Sequence, residues 1–302
     1  MKELSGVFAA VLTPRRLDES IDTEALARLI QFLLSKGISS LALNGATGEF
    51  CLTQPEELQI ILKTAREASG GSARVICGIG APGIAPARAL ARVAQVHGAA
   101  GLLVPAPYFF RYQQQDLDSF CRAAAEATQL PALLYNLPQF SSGFEKETVR
   151  SLLEEVPNII GIKDSGGSLD ILRHLTSHEV EACRIVGNDT ALRGGLSEGV
   201  CDGVVSGIAC VLPELILALY NQGSQAGDTA HDESWRWLQK VANKFDSMPT
   251  PWALKWIAEA RGICKATFAQ PLGGVRLNQG AELKRWIAES FPAMVPGGTL
   301  AA

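Results

Sequence analysis

The chain has 302 residues, 47% of them apolar and 19% charged, with a net charge of −4. That is enough apolar material for a sizeable core, and the acidic balance, with no cluster of lysines and arginines, excludes a general attraction to nucleic acid or anionic membrane. No uninterrupted apolar run is long enough to span a bilayer, no charged-then-apolar leader precedes the first strand pattern, and the seven scattered cysteines include no Cys-x-x-Cys pair, so they read as reduced thiols of a cytoplasmic protein.

The segment from Gly6 to Thr13 reads as a buried strand closed by Pro14. Asp22 then caps a helix whose apolar positions Leu26, Leu29, Ile30, Leu33 and Leu34 share one face, and Gly37 ends it. A second strand runs over 38–43, and the loop Asn44 to Glu49 follows. Thr53 and Glu56 have the spacing of a capping box and open a helix with Leu58, Ile61, Leu62 and Ala65 on its apolar face. The pattern repeats, with strands over 75–79, 101–104, 132–135, 159–163, 184–186 and 203–206. Helices are expected over 85–97, 115–127, 145–153, from near Ser168, and over 190–198. The strands are continuously apolar, as strands buried on both faces of a parallel sheet are. After Ile208 the alternation stops. Helices are expected over 213–220 and 229–245, then one capped by Thr250 with Pro251 at its start, then one over 281–290. The tail from Val295 reads as loose. These elements predict a (β/α)8 TIM barrel over residues 1–224 with a C-terminal helical appendage over 225–302. An open doubly wound sheet is the runner-up, but its glycine-rich first turn is replaced here by Thr13-Pro14-Arg15-Arg16.

In such a barrel the C-terminal ends of the strands converge on the active site. Those ends carry Thr13, Gly45 to Glu49, Gly78 to Gly80, Pro105 to Phe109, Tyr135 and Asn136, Lys163 to Ser165, Gly187 to Asp189, and Ser206 and Gly207. His97, His174, His178 and His231 all fall on expected helices, which argues against a His-centred triad or a His-ligated metal. Glu49, Asp164 and Asp189 are too dispersed for a divalent-metal cage. Gly194-Gly195 lies inside an expected helix and reads as a packing feature rather than a phosphate grip. Lys163 ends an unbroken run of strand-forming apolar residues. Such an amine either reaches out to solvent or attacks a carbonyl carbon. With Tyr135 nearby, the pair suits Schiff-base chemistry: an amine attacks a ketone, the imine acts as an electron sink, and a phenol shuttles protons. Backbone N–H groups around Thr47, with its hydroxyl, can hold a carboxylate.

Gly45-Ala46-Thr47-Gly48-Glu49, Tyr135-Asn136-Leu137-Pro138 and Gly161-Ile162-Lys163-Asp164 resemble the three signatures of the dihydrodipicolinate synthase / N-acetylneuraminate lyase family of pyruvate-dependent class I aldolases. Order and spacing agree over about residues 5–290. The resemblance implies a barrel with C-terminal helices and a homotetramer built as a dimer of dimers. It implies a small 2-oxo acid with a pyruvate moiety as the partner, and no cofactor beyond the covalent imine. By the same resemblance Lys163 is the Schiff-base lysine, Tyr135 the proton-shuttling phenol and Thr47 the grip on the pyruvate carboxylate, while Gly48 and Glu49 shape the loop.

The departures from the synthase pattern alter the other half of the site. A second threonine is replaced by Ala46, and a second tyrosine, which completes a hydroxyl relay across a subunit interface, by Phe109. Gln139-Phe140-Ser141-Ser142 stands where the synthase has a carboxylate-binding arginine. The expected activity is therefore cleavage of a 4-hydroxy-2-oxo acid to pyruvate and an aldehyde. Synthase activity on pyruvate and aspartate semialdehyde, and a 2-keto-3-deoxy-sugar-acid dehydratase, are the alternatives. A ligand-binding protein without catalysis is the reading from another class. Ala46, Gly48, Ser165, Asn188, Val205, Ser206, Phe109 and Phe140 are the candidate substrate contacts. Each has a plainer reading: Ser165 and Asn188 as helix caps, Phe109 and Phe140 as subunit contacts, Tyr135 as a core residue.

Overall fold

The computed structural model describes residues 4–223, 229–245 and 247–295. Eight strands alternate with helices: β1 (Gly6–Ala10), α1 (Thr23–Ser35), β2 (Ser40–Leu43), α2 (Pro55–Ala68), β3 (Arg74–Gly78), α3 (Ile84–Val96), β4 (Gly101–Pro105), α4 (Gln114–Ala125), β5 (Ala132–Asn136), α5 (Lys146–Glu155), β6 (Ile159–Asp164), α6 (Asp170–Ser177), β7 (Cys183–Val186), α7 (Leu192–Ser197) and β8 (Gly203–Ser206). Each strand pairs in parallel with the next, and β8 pairs with β1, which closes the barrel. After it come α8 (Pro213–Gln222), α9 (Thr229–Phe245), α10 (Thr250–Ala260) and α11 (Gly274–Met294). The expected TIM barrel with C-terminal helices is the fold observed. The boundary expected at residue 224 and the tail from residue 296 lie outside the described residues.

Alternation along the strands explains why they read as continuous apolar runs. In β4, Leu103 packs inside the barrel while Leu102 and Val104 face the helices. In β5, Leu133 and Tyr135 point inward and Leu134 outward. Both faces are therefore buried, and neither needs a polar partner. In β6 the outward residue is Ile162, which leaves Lys163 on the inner face.

Several element ends differ from expectation for local reasons. β1 stops at Ala10, yet Val11 to Pro14 remain buried beneath the loop after β2, held by Val11 N donating to Ala42 O at 3.0 Å. The capping box is displaced by one residue: Glu57 Oε2 accepts from Gln54 N at 3.0 Å, while Thr53 turns inward. α6 begins two residues late because the Ser168 hydroxyl accepts from Asp170 N. The seventh helix is split into a 3₁₀ turn, Asp189–Ala191, and α7. Pro249, not Thr250, caps α10. α11 starts seven residues before the expected 281, running through Gly274 and Gly280. Gly280 breaks the sequence signal, but its place is dictated by packing: a Cβ there would lie 2.2 Å from the Trp256 indole.

Candidate active site

The inner face of the barrel opens at the C-terminal ends of the strands into a cavity of about 410 Å³. Strand register places the central pair. Tyr135 is the β-partner of Lys163, and Asn136 that of Asp164. Lys163 is 3% exposed, and its Nζ lies 3.9 Å from the centroid of the Tyr135 ring. A solvent-reaching lysine is thereby excluded: the amine sits against a phenol at the floor of the cavity.

Two strand-end neighbours to which the sequence assigned no role fix this pair. Asp164 Oδ1 accepts from Asn136 Nδ2 and from Gly166 N, both at 2.8 Å, and Asn136 Oδ1 accepts from Phe144 N at 3.1 Å. The ends of β5 and β6 are thus tied beside Tyr135 and Lys163. Burial pushes the Asp164 carboxyl up, and those two hydrogen bonds pull it back. Gly187 makes the space for Lys163: a Cβ on it would lie 2.1 Å from Ser165 Oγ and 2.8 Å from Lys163 Cε. No periodicity or turn signal identifies that requirement.

Ala46, Thr47, Phe140, Ser165, Asn188 and Val205 all line the cavity, as expected. Ser165 caps no helix, and its buried Oγ has no hydrogen-bond partner, so it is free to meet a ligand. Asn188 both lines the cavity and caps the 3₁₀ turn by accepting from Thr190 N at 3.0 Å. Three candidates do not line it. Gly48 packs on the backbone of Val11 and Asn44. Ser206 is fully buried, accepts from Ala209 N at 2.8 Å and bonds to the Asp189 carboxyl. Phe109 has a left-handed φ of +88°, is 84% exposed and stacks edge-on against exposed Phe110. Its backbone turns the ring away from the barrel axis, which sequence spacing alone does not show. The outer wall comes from the C-terminal helices, through Ala242, Phe245, Thr250 and Pro251, none of which was expected there.

Asp189 also lines the cavity, and its Oδ1 is enclosed without a hydrogen-bond partner. Burial raises its carboxyl from 3.8 to about 6, against the pull of bonds from Ser206 and Ile208 N and of the Lys163 charge. A carboxyl with a raised folded pKa holds its proton more tightly when folded. The stability it contributes is present below about pH 4 and lost as pH rises through about 6. A shift of this size corresponds to roughly 3 kcal/mol. Asp189→Asn is accordingly expected to flatten the stability–pH curve over that window relative to the parent, as followed by urea unfolding. Equal slopes in the two proteins would contradict the assignment.

Among the described residues no group of three or more His, Cys, Asp or Glu is placed to hold a metal, and no helix is long and apolar enough to cross a membrane. His97 and His178 end helices and His174 lies within α6, all away from the cavity. Five of the seven cysteines are buried.

The chain resembles known proteins over nearly its whole length. The profile of the dihydrodipicolinate synthetase family matches residues 3–290. A 4-hydroxy-tetrahydrodipicolinate synthase of Mycolicibacterium paratuberculosis is 40% identical over 167 residues, 55% of each chain. One from an Azoarcus species is 31% identical over 271 residues, covering 89% of this chain and 92% of the relative. Among solved structures, YagE of E. coli K12, a prophage protein of the dihydrodipicolinic acid synthase family in complex with pyruvate, superposes with a TM-score of 0.85 at 25% identity, over 95% of this chain and 98% of that one. The barrel, the convergence of the three motifs on one cavity and these matches lead to the same place: the chain belongs to the dihydrodipicolinate synthetase family of pyruvate-dependent lyases and synthases.

Proposed function

We propose that the protein is a Schiff-base-forming class I aldolase that cleaves, or in reverse forms, the C3–C4 bond of a 4-hydroxy-2-oxo acid. The observation that carries this reading is the Lys163 amine, buried against the Tyr135 ring in the cavity. The amine adds to the C2 carbonyl, Tyr135 gives its proton to the departing hydroxyl, and loss of water leaves a protonated imine on Nζ and a phenolate at Tyr135. The C4 hydroxyl gives its proton to the Tyr135 oxygen as the C3–C4 bond breaks. The electron pair passes into the imine, which leaves an enamine and releases the aldehyde. Tyr135 returns the proton to C3, and water hydrolyses the imine to pyruvate and free lysine. Thr47, with the backbone around it, holds the C1 carboxylate. Ser165 and Asn188 meet the substrate beyond C3, with Ala46, Val205 and Phe140 forming walls. The pyruvate bound in the YagE structure supports the oxo-acid half. No cofactor enters beyond the covalent imine.

The names of the curated relatives favour a second reading, condensation of pyruvate with aspartate semialdehyde. Against it, Gln139 stands just after Pro138, and its Nε2 is already engaged by the Ser165 carbonyl at 2.8 Å. Lys163 is the only lysine or arginine lining the cavity among the described residues. Measuring pyruvate release from a panel of 4-hydroxy-2-oxo acids beside condensation with aspartate semialdehyde separates the two. We expect release; condensation alone would overturn the aldolase reading. The scattered, mostly buried cysteines fit a reducing, cytoplasmic compartment. The exposed Phe109–Phe110 pair fits a subunit contact in a dimer of dimers, which a monomer in sedimentation would contradict.

A further inference from the structure

A second buried lysine lies outside the strands. Lys255, in the middle of α10, is 4% exposed. Its ammonium pairs with Glu49, 206 residues away, and both side chains are nearly enclosed. The Phe268 ring lies 5.4 Å from Nζ, with Trp252 and Trp256 packed on that ring. Glu49 immediately follows Thr47-Gly48 and adopts a left-handed backbone, φ +55° and ψ +49°. That conformation is strained for a residue with a Cβ. A glycine would relieve it, so the side chain at this position has a use that offsets the strain.

The same helix reaches the Thr47 loop by another route. A Cβ at Gly207 would lie 3.3 Å from both Leu254 Cδ1 and Thr47 Oγ1, so α10 and the Thr47 hydroxyl both border Gly207 just past the end of β8. One turn earlier, Thr250 and Pro251 line the cavity mouth. α10 therefore reaches the rim through Thr250 and Pro251, Gly207 beside the Thr47 hydroxyl through Leu254, and the end of the Thr47 loop through Lys255. A buried ion pair is a poor source of net stability, because desolvation consumes the Coulomb gain, but breaking one partner leaves a stranded charge. A pair in this place fixes geometry.

We propose that Lys255 is a positioning residue, which through Glu49 holds the Thr47 loop in the geometry that grips the carboxylate of the 2-oxo acid. This rests on the reading of Lys163 and Thr47 given above. Lys255 touches no reacting atom. Its loss weakens capture of the oxo acid and leaves the chemistry at Lys163 intact once the site is filled.

The experiment is borohydride trapping of pyruvate on the full chain, titrated in pyruvate, with melting temperature measured in parallel. The proteins are the parent, Lys255→Met, Glu49→Gln and the double variant. In both single variants the pyruvate concentration for half-maximal trapping is expected to rise about tenfold or more, with trapping at saturation unchanged. The double variant, with no stranded charge, is expected to regain melting temperature and keep the raised half-saturation. If Lys255→Met does not fold, Glu49→Gln and the double variant carry the same readout. Half-saturation that stays at the parental value in the folded variants, or returns to it with melting temperature in the double variant, overturns the proposal and leaves the reading of Lys163 standing. No adduct in the parent overturns that reading, and this inference with it.

Discussion

Lys163→Met is expected to abolish pyruvate release, a loss of about a millionfold or more, while the protein folds as before. Methionine matches the lysine stem in length and fits the same apolar channel beside Gly187. What it removes is the amine that lies over the Tyr135 ring. Lys163 makes no salt bridge among the described residues, and loss of its charge lets the nearby Asp189 carboxyl hold its proton more firmly rather than stranding an anion. Replacing a buried polar end group by an apolar one predicts a melting temperature at or above that of the parent. Activity within tenfold of the parent would show that chemistry runs through another group. Loss of both activity and fold would leave the covalent role to be read from Lys163→Arg, which keeps the charge and lacks a nucleophilic amine.

Tyr135→Phe is expected to lower kcat by about 10²–10⁴, the range for removal of a positioned proton-transfer group. The ring that backs the amine remains, and so does its inward packing, because Tyr135 belongs to the inner core of the barrel. The loss should fall on carbinolamine dehydration and carbon–carbon cleavage and less on binding. A fall in kcat with KM within a few-fold is the expected pattern. The chain has Ala46 where the synthase pattern has a relay threonine, and Phe109 lies outside the cavity. Tyr135 therefore works without those relay hydroxyls, and the effect of its loss is expected at the upper end of the range. A loss confined to KM would assign Tyr135 to packing.

The barrel and the central pair were legible in the sequence for one physical reason. Strands buried on both faces must be continuously apolar, so a lysine ending such a run stands out, and strand order alone places it next to Tyr135. The supports were not legible, because each depends on contacts between distant segments. Lys255 lies in a helix with tryptophans on either side and reads as a lysine that reaches solvent; only the fold brings Glu49 to it. Gly187 resembles any turn glycine until the side chains of Ser165 and Lys163 are seen to fill the space a Cβ would take. Ser206 ends a strand as the other candidates do, but alternation with inward Val205 turns it to the outer side of the barrel, where it is fully buried and bonds to Asp189. Phe109 lies at the expected place in sequence and outside the site in space, because its left-handed backbone throws the ring outward. The wall supplied by Ala242, Phe245, Thr250 and Pro251 comes from helices that follow the last strand, where strand-end reasoning does not reach.

The central claim is that Lys163 is the nucleophile toward a 2-oxo acid. Incubation with pyruvate and borohydride, followed by mass measurement of the intact chain and its peptides, tests it most directly. The account predicts one reduced pyruvate adduct per chain, located on Lys163 and absent from Lys163→Met. An unchanged mass in the parent protein, or an adduct on any other lysine, would contradict it.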